Sequence, residues 1–429
     1  MKQAIVIGGG LAGCEATWQL AKRGIAVTLY EMKPKKFSPA HHLKTLGEIV
    51  CSNSFKSVDL TTASGLLKAE LEKLDSIVLK IAKLCAVPAG SALAVDRNQF
   101  SEKLDEFTHL LDNVHVVNKE VTDFDTENTI IATGPLTSDK LANKINEFLG
   151  QSQLHFYDAS APIIDGASID YSKTFNSSRY DKGESDYINC PLNKEEYYEF
   201  IKELNSAQRV QLHEFEKQEI FEGCMPIEIM AQRGEDCLRF GPLKPVGLKD
   251  DNGKRPFAVV QLRKENVNGS LYNLVGFQTN LTFSEQKRVF SLIPALKNAE
   301  FVKFGVMHRN SFINAPKILN KDFSIKGYNT LFIAGQLSGV EGYMESTMSG
   351  LVAGISLANK LNNKPTLVFP PETMVGAIIN YLTTKNDNFQ PMNANFGILP
   401  AIEEKIKDKT ERKLQKSKRA LKFYDKEQI

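Results

Sequence analysis

Apolar residues fall into two patterns along this chain. Gln3 to Ile7 is a short continuous apolar run, the mark of a strand buried on both faces, and it opens directly onto Gly8, Gly9, Gly10, Leu11, Ala12 and Gly13. Helical spacing then runs from Leu11 to Arg23, Gly24 ends it, and Ile25 to Tyr30 reads as a second strand with Glu31 at its end. Two later runs repeat the first pattern: Thr129 to Ala132 leads into Thr133 and Gly134, and Leu331 to Ala334 leads into Gly335. After the last of these, Gly339 to Gly342 and Gly350 to Gly354 bracket a predicted helix start. The stretch between, residues 154–301, is rich in Tyr, Glu and Lys; it has helical spacing over Lys194 to Leu204 and Gln211 to Glu219, and strand-like runs at Pro256 to Arg263 and Ser270 to Gln278. Residues 363–374, with Pro365, Pro370 and Pro371, read as a connector into a final helical segment.

The first strand, turn and helix predict a dinucleotide site. Glycines at 8, 10 and 13 suit the tight turn, the approach of a pyrophosphate and the helix packing, and Glu31 falls 18 residues beyond Gly13, where a carboxylate can accept ribose hydroxyls. The later strands resemble those of glutathione-reductase-like FAD proteins, in which a distant part of the chain returns to the flavin. The expected fold is therefore α/β, a glutathione-reductase-like FAD-binding Rossmann domain with an inserted α+β domain. Residues 1–153 would be the first part of the FAD-binding domain, 154–301 the insertion, 302–362 the return, and 363–429 a connector and basic helical segment. The expected cofactor contacts are Gly8, Gly9, Gly10, Leu11, Ala12, Gly13, Glu31, Thr133, Gly134, Gly335, Gly342 and Tyr343.

Composition narrows the class without naming a reaction. A chain of 429 residues, 42% apolar and 24% charged, can bury a large core in two or three domains. No apolar run is long enough to span a membrane and no leader precedes the first strand, so a cytoplasmic protein with no membrane partner is expected. The net charge of +2 does not by itself announce a nucleic acid. Residues 403–429, however, carry ten Lys or Arg against six Asp or Glu, the pattern of a solvated surface helix or of an RNA-contacting face.

The six cysteines (14, 51, 85, 190, 224 and 237) form no CxxC pair, which argues against a zinc site and a disulfide scaffold. Cys224 lies between Gly223 and Met225-Pro226, and a thiol just outside a helix start is biased toward thiolate, although small buried cysteines are common. Cys51 lies in a polar loop with Ser52, Asn53, Ser54 and Lys56, whose hydroxyl and amide groups suit a heterocycle or the orientation of the thiol; the alternative is a self-bonded turn. Cys14 is expected to pack in the core, and Cys85, Cys190 and Cys237 to be structural.

The blocks at 8–16, 48–57, 221–228, 238–248, 272–281, 305–310 and 334–346 together resemble the folate- and FAD-dependent RNA uracil-5-methyltransferase family, TrmFO, over almost the whole chain. The resemblance implies FAD as cofactor, 5,10-methylenetetrahydrofolate as methylene donor, NADH or NADPH as reductant, and RNA as substrate, with no obligate protein partner. It assigns the nucleophilic thiolate to the position of Cys224 and an assisting thiol or base to that of Cys51. Asn53, His308 and Arg309 are further substrate candidates, and Arg233, Arg239 and Lys244 candidate phosphate contacts. The T-loop uridine of tRNA is the expected target. A uridine of 23S ribosomal RNA is the alternative; a wobble-uridine flavoprotein, normally longer, and a flavin disulfide reductase, which would need a close cysteine pair, are the other rivals.

Overall fold

The computed structural model describes residues 2–150, 154–177, 179, 186–210, 225–387, 389–403 and 406–426, without the side chains of 154–158, 308, 309 and 426. The expected helix at Gln211 to Glu219, and Cys224, lie outside the described residues.

The continuous apolar runs build a parallel sheet in the order Leu331–Ile333, Thr129–Ile131, Gln3–Ile7, Ala26–Glu31, Val114–Asn118. Thr129–Ile131 and Leu331–Ile333 are buried at every position, as strands covered on both faces must be. The Leu11–Ala21 helix is the crossover between the central strand and Ala26–Glu31. Along it runs the Tyr343–Leu361 helix, in close contact because Gly350 and Gly354 face Ala12 and Ala16. The helix starts at Tyr343, between the Gly339 to Gly342 and Gly350 to Gly354 segments as the sequence suggested, and the second pair of glycines serves helix packing.

Residues 161–303 build a second, antiparallel sheet in the order Phe175–Asn176, Tyr187–Leu192, Ala258–Lys264, Leu271–Leu274, Ile163–Asp165, Phe301–Lys303. The Lys194–Ser206 helix packs on it through Tyr197, Phe200, Ile201 and Leu204 and opens with a capping box between Asn193 and Glu196. The strand expected to run to Gln278 stops at Leu274; beyond it the Gln278 carbonyl instead accepts the Ile227 N–H. A two-stranded ribbon, Leu154–Ala159 with Met307–Phe312, joins the halves. Each half has its own apolar core, one drawn from residues 4–145 and 312–424, the other from 161–299, and on that basis we divide the chain into a dinucleotide-binding part and an insertion.

The end of the chain does not stand apart. Phe389, Leu399, Ala420 and Tyr424 join the first core. The Glu70 carboxylate, fully buried, accepts the N–H groups of Met374 and Val375 (2.7 and 2.9 Å) at the start of the Met374–Thr383 helix, and the Tyr424 hydroxyl (3.0 Å) of the Lys409–Lys426 helix. Among the described residues, no helix is long and apolar enough to cross a membrane.

Candidate functional site

A cleft opens at the carboxyl ends of the parallel strands, where open α/β sheets bind their ligands. Its floor is the turn from Gly8 to Ala12; Tyr30 to Lys33, Ala132 to Ser138, Gly335, Gln336 and Tyr343 complete the walls. Gly8 holds φ at +105°, and a Cβ there would lie 2.6 Å from the Ala132 carbonyl oxygen, so only glycine makes this turn. A Cβ on Gly9 would lie 2.9 Å from Glu31 Oε2. Gly10 is different: a Cβ there would meet nothing within 4 Å, because it would project into the open cleft. Gly10 is also the N-cap of Leu11–Ala21 and provides no side-chain cap, which leaves the helix's first N–H groups and its positive dipole end directed at an anion in the cleft.

Glu31 is buried, and its two oxygens accept the N–H groups of Gly9 (2.8 Å) and Lys33 (2.9 Å), which orients the carboxylate at the cleft wall with lone pairs to spare. Thr133, Gly134 and Gly335 line the cleft, and the Gly335 N–H is held by Ser349 Oγ at 2.7 Å. Two expected cofactor contacts are placed otherwise. Gly13 backs onto the Gly8 carbonyl, where any Cβ would collide, and Gly342 backs onto the Glu345 carboxylate. Neither lines the cleft, so both act by shaping the turn or helix start beside it.

Cys51 is half-buried next to this cleft. Val50 and Tyr343 line the wall, and the Tyr343 hydroxyl accepts the N–H groups of Cys51 (2.9 Å) and Ser52 (3.2 Å). Burial, and then the proximity of Cys51, push the Tyr343 phenol well above its ordinary range, so it stays neutral. The opposite side of the loop is tied to Arg97, whose Nη1 donates to the Ile49 carbonyl (2.9 Å) and Nη2 to that of Cys51 (3.5 Å). Arg97 also pairs with the buried carboxylate of Glu265; burial works against its charge, but Glu265 more than offsets this and holds the guanidinium above its ordinary value. Lys303 approaches the same group from the insertion, and burial followed by the Arg97 charge lowers its affinity for a proton.

Asn53 is fully buried and fully bonded: its amide donates to the Val95 (3.0 Å) and Lys264 (2.9 Å) carbonyls and accepts from Arg263 (2.8 Å). It is therefore a brace for the loop, not a group free to meet a heterocycle. Lys56 of the same loop lies 3.9 Å from Glu345. His308 and Arg309 occupy the ribbon opposite Asp158 and Tyr157, and their side chains are outside the described set. Arg239 is committed to the insertion itself, bonded to Phe257 O (3.1 Å) and Asp236 (3.1 Å) and lying 3.7 Å over the Phe257 ring. Cys14 and Cys190 fit structural roles: Cys14 is buried with Sγ 3.4 Å from Gly9 O, and burial pushes Cys190 up to about 12. No sequence motif pointed to Arg97, Arg263, Glu265 or Lys303; Arg97 reaches the loop from its own half, and the docking of the insertion brings the other three to it.

Of the tail's basic residues, Lys416 donates to Phe396 O (3.1 Å) and Leu399 O (3.0 Å), and Arg419 to Ala401 O (2.8 Å) and Pro400 O (2.9 Å). These two clamp the 396–401 loop. Lys407, Lys409, Arg412, Lys418 and Lys422 are exposed. Among the described residues no cluster of three or more metal-ligating side chains occurs.

Parallel sheet, glycine turn, ribose carboxylate and long cleft define the class as a flavoprotein with an FAD-binding Rossmann-type fold. The chain belongs to the glucose inhibited division protein A family, whose model matches residues 3–365, and within it to the TrmFO family. The Acetivibrio thermocellus protein named methylenetetrahydrofolate–tRNA-(uracil-5-)-methyltransferase TrmFO is 54% identical over 421 residues, covering 97% of each chain. The Lactobacillus johnsonii protein of the same name is 54% identical over 425 residues, 98% of this chain and 97% of its own. Aquifex aeolicus GidA, in its form I crystal, shares the fold with a TM-score of 0.71 at 16% identity, over 99% of this chain and 75% of that one.

Proposed function

We propose that this protein methylates C5 of a uridine in tRNA, the T-loop uridine, taking its carbon from 5,10-methylenetetrahydrofolate. The observation that carries the reading is that Tyr343 both lines the dinucleotide cleft and binds the backbone of Cys51, which sets a thiol beside a cleft suited to FAD. Near-complete coverage by relatives bearing the tRNA methyltransferase name supports the substrate.

The open space over Gly10 and the uncapped helix start would take the FAD pyrophosphate, and Glu31 the ribose. Bound FAD, reduced by NADH or NADPH, supplies the hydride that turns an exocyclic methylene into a methyl. The chain's residues make the uracil reactive. Uracil C5 is a poor nucleophile until a thiolate, assigned to Cys224, adds at C6 and leaves C5 enolate-like; C5 then bonds to the methylene carbon as the first of that carbon's two bonds to folate nitrogen breaks. Cys51 takes the C5 proton as the second carbon–nitrogen bond breaks and leaves an exocyclic methylene, and hydride addition to that carbon expels the Cys224 thiolate. Tyr343 and Arg97 hold the Cys51 loop for this transfer. We place the reaction in the cytoplasm, where tRNA and reduced folate are both present.

The test is incubation of flavin-loaded protein with NADPH and carbon-labelled methylenetetrahydrofolate, offering unmodified tRNA and a 23S RNA fragment in separate reactions. Labelled 5-methyluridine in tRNA is expected. Label in the ribosomal fragment alone would overturn the choice of RNA, and label in neither would overturn the methyltransferase reading.

A further inference from the structure

We propose that Arg97, held by Glu265 of the inserted sheet, is the positioning residue for Cys51, so that the thiol is set in place only when the insertion is docked on the dinucleotide half. The inference rests on the methyltransferase reading for its activity readout, and on geometry for the rest. Arg97 is the first residue of the Arg97–His109 helix in the dinucleotide half. Its planar fork spans three acceptors, the carbonyls of Ile49 and Cys51 and the Glu265 carboxylate, and both charged side chains are largely out of water, at 15% and 3% exposure. Glu265 is fixed in turn, because its N–H donates to Leu271 O at 2.9 Å across the hairpin of the inserted sheet.

The same hairpin meets the other half at further points, among them the Lys264 carbonyl, which accepts the Asn53 amide at 2.9 Å. The Val267 N–H donates to the carboxylate of Asp96 (3.2 Å), the residue before Arg97, and Arg263 donates to Ser52 Oγ (2.8 Å) and to Asn53. Cys51 therefore has its N–H held by Tyr343 from one half and its carbonyl held by an arginine that the other half orients. Withdrawing the insertion would free Arg97, and with it the Cys51 carbonyl. Lysine keeps the charge at this position but lacks the fork, so it cannot satisfy a carboxylate and two carbonyls together.

The test compares wild type, Arg97→Lys and Glu265→Gln as full-length, flavin-loaded proteins. Three rates are measured: flavin reduction by NADPH, 5-methyluridine formation in tRNA, and alkylation of Cys51 by iodoacetamide, followed by peptide mass spectrometry with Cys237 as internal control. Both variants should lose turnover by about 100-fold, the scale of a misplaced reacting group, while KM for tRNA changes by no more than about twofold. Flavin reduction and Cys237 alkylation should match wild type, and Cys51 alkylation should change by at least about threefold. Wild-type turnover in Arg97→Lys, or equal changes at Cys51 and Cys237, would overturn the proposal. If wild type itself forms no 5-methyluridine, the functional reading fails on its own, and the alkylation rates still decide the positioning role.

Discussion

Replacing Gly350 with alanine tests whether the contact between two helices sets the floor of the cofactor cleft. A Cβ on Gly350 would run into the carbonyl oxygen of Ala12 and lie 2.7 Å from its C and Cα, atoms of a backbone that cannot swing aside. One turn later the strain is milder, since a Cβ on Gly354 would meet Ala16 O and Gln19 Cβ at 2.9 Å. Overpacking costs about 1–3 kcal/mol, and Gly350 should sit at the upper end, Gly354 at the lower. Each change also gains about 1 kcal/mol of helix propensity. The net loss is thus about 2 kcal/mol for Gly350→Ala, roughly 2 °C in melting temperature for a chain of 429 residues, and close to zero for Gly354→Ala. Relief requires the Leu11–Ala21 helix to shift away, and Leu11 and Ala12 line the cleft, so Gly350→Ala should also weaken FAD binding by about tenfold, the equivalent of about 1.4 kcal/mol. Thermal melts and flavin absorbance per chain after dialysis read both quantities. Wild-type stability and flavin content in Gly350→Ala, or greater damage from Gly354→Ala, would refute the reasoning.

Tyr343→Phe removes the acceptor of two backbone N–H groups, so it should cost about 1–3 kcal/mol in urea denaturation and lower methyl transfer while flavin reduction persists; unchanged single-turnover rates would count against it. Burial raises Glu70 from 4.5 to about 7, against the N–H groups of Met374 and Val375 and the Tyr424 hydroxyl. The native state therefore binds a proton that the unfolded chain releases, and stability from this group, fully present below 4.5, is lost as pH rises through 7, on the order of 3 kcal/mol in all. Glu70→Gln mimics the protonated form, so wild type should weaken relative to it between about pH 5 and about pH 8, and denaturation curves showing a constant or reversed difference would contradict the assignment. In the tail, Lys418→Glu with Lys422→Glu should flatten the salt dependence of tRNA binding by about two ions, whereas Lys416→Ala should lower the melting temperature and leave that slope unchanged. Equal slopes for both variants would remove the tail from the RNA contact.

The parts of this molecule legible in its sequence are those where one local segment carries the whole requirement. A strand buried on both faces reads as a continuous apolar run, and a turn that holds positive φ against a neighbouring carbonyl needs glycine, so Gln3–Ile7 and the Gly8 turn announce themselves within ten residues. Cys51 was legible for the same reason, as a thiol in a polar loop. What holds Cys51 was not, because Arg97, Arg263 and Glu265 are distant in sequence from the loop, and each is an ordinary charged residue until the insertion docks. Asn53 follows the same logic: a loop asparagine reads as available until Val95 and Lys264 take both of its amide hydrogens and Arg263 binds its oxygen. Gly350 and Gly354 lie near a helix start in sequence, and only the crossing of two helices shows that their missing side chains admit Ala12 and Ala16. The basic tail divides along the same line. Net positive charge is a property of the segment, but whether a lysine faces solvent or clamps a carbonyl depends on the 396–401 loop beneath it, which is why Lys416 and Arg419 belong to the fold and Lys418 and Lys422 remain available to a polyanion. Composition finds such a surface, and only packing says which of its charges are free.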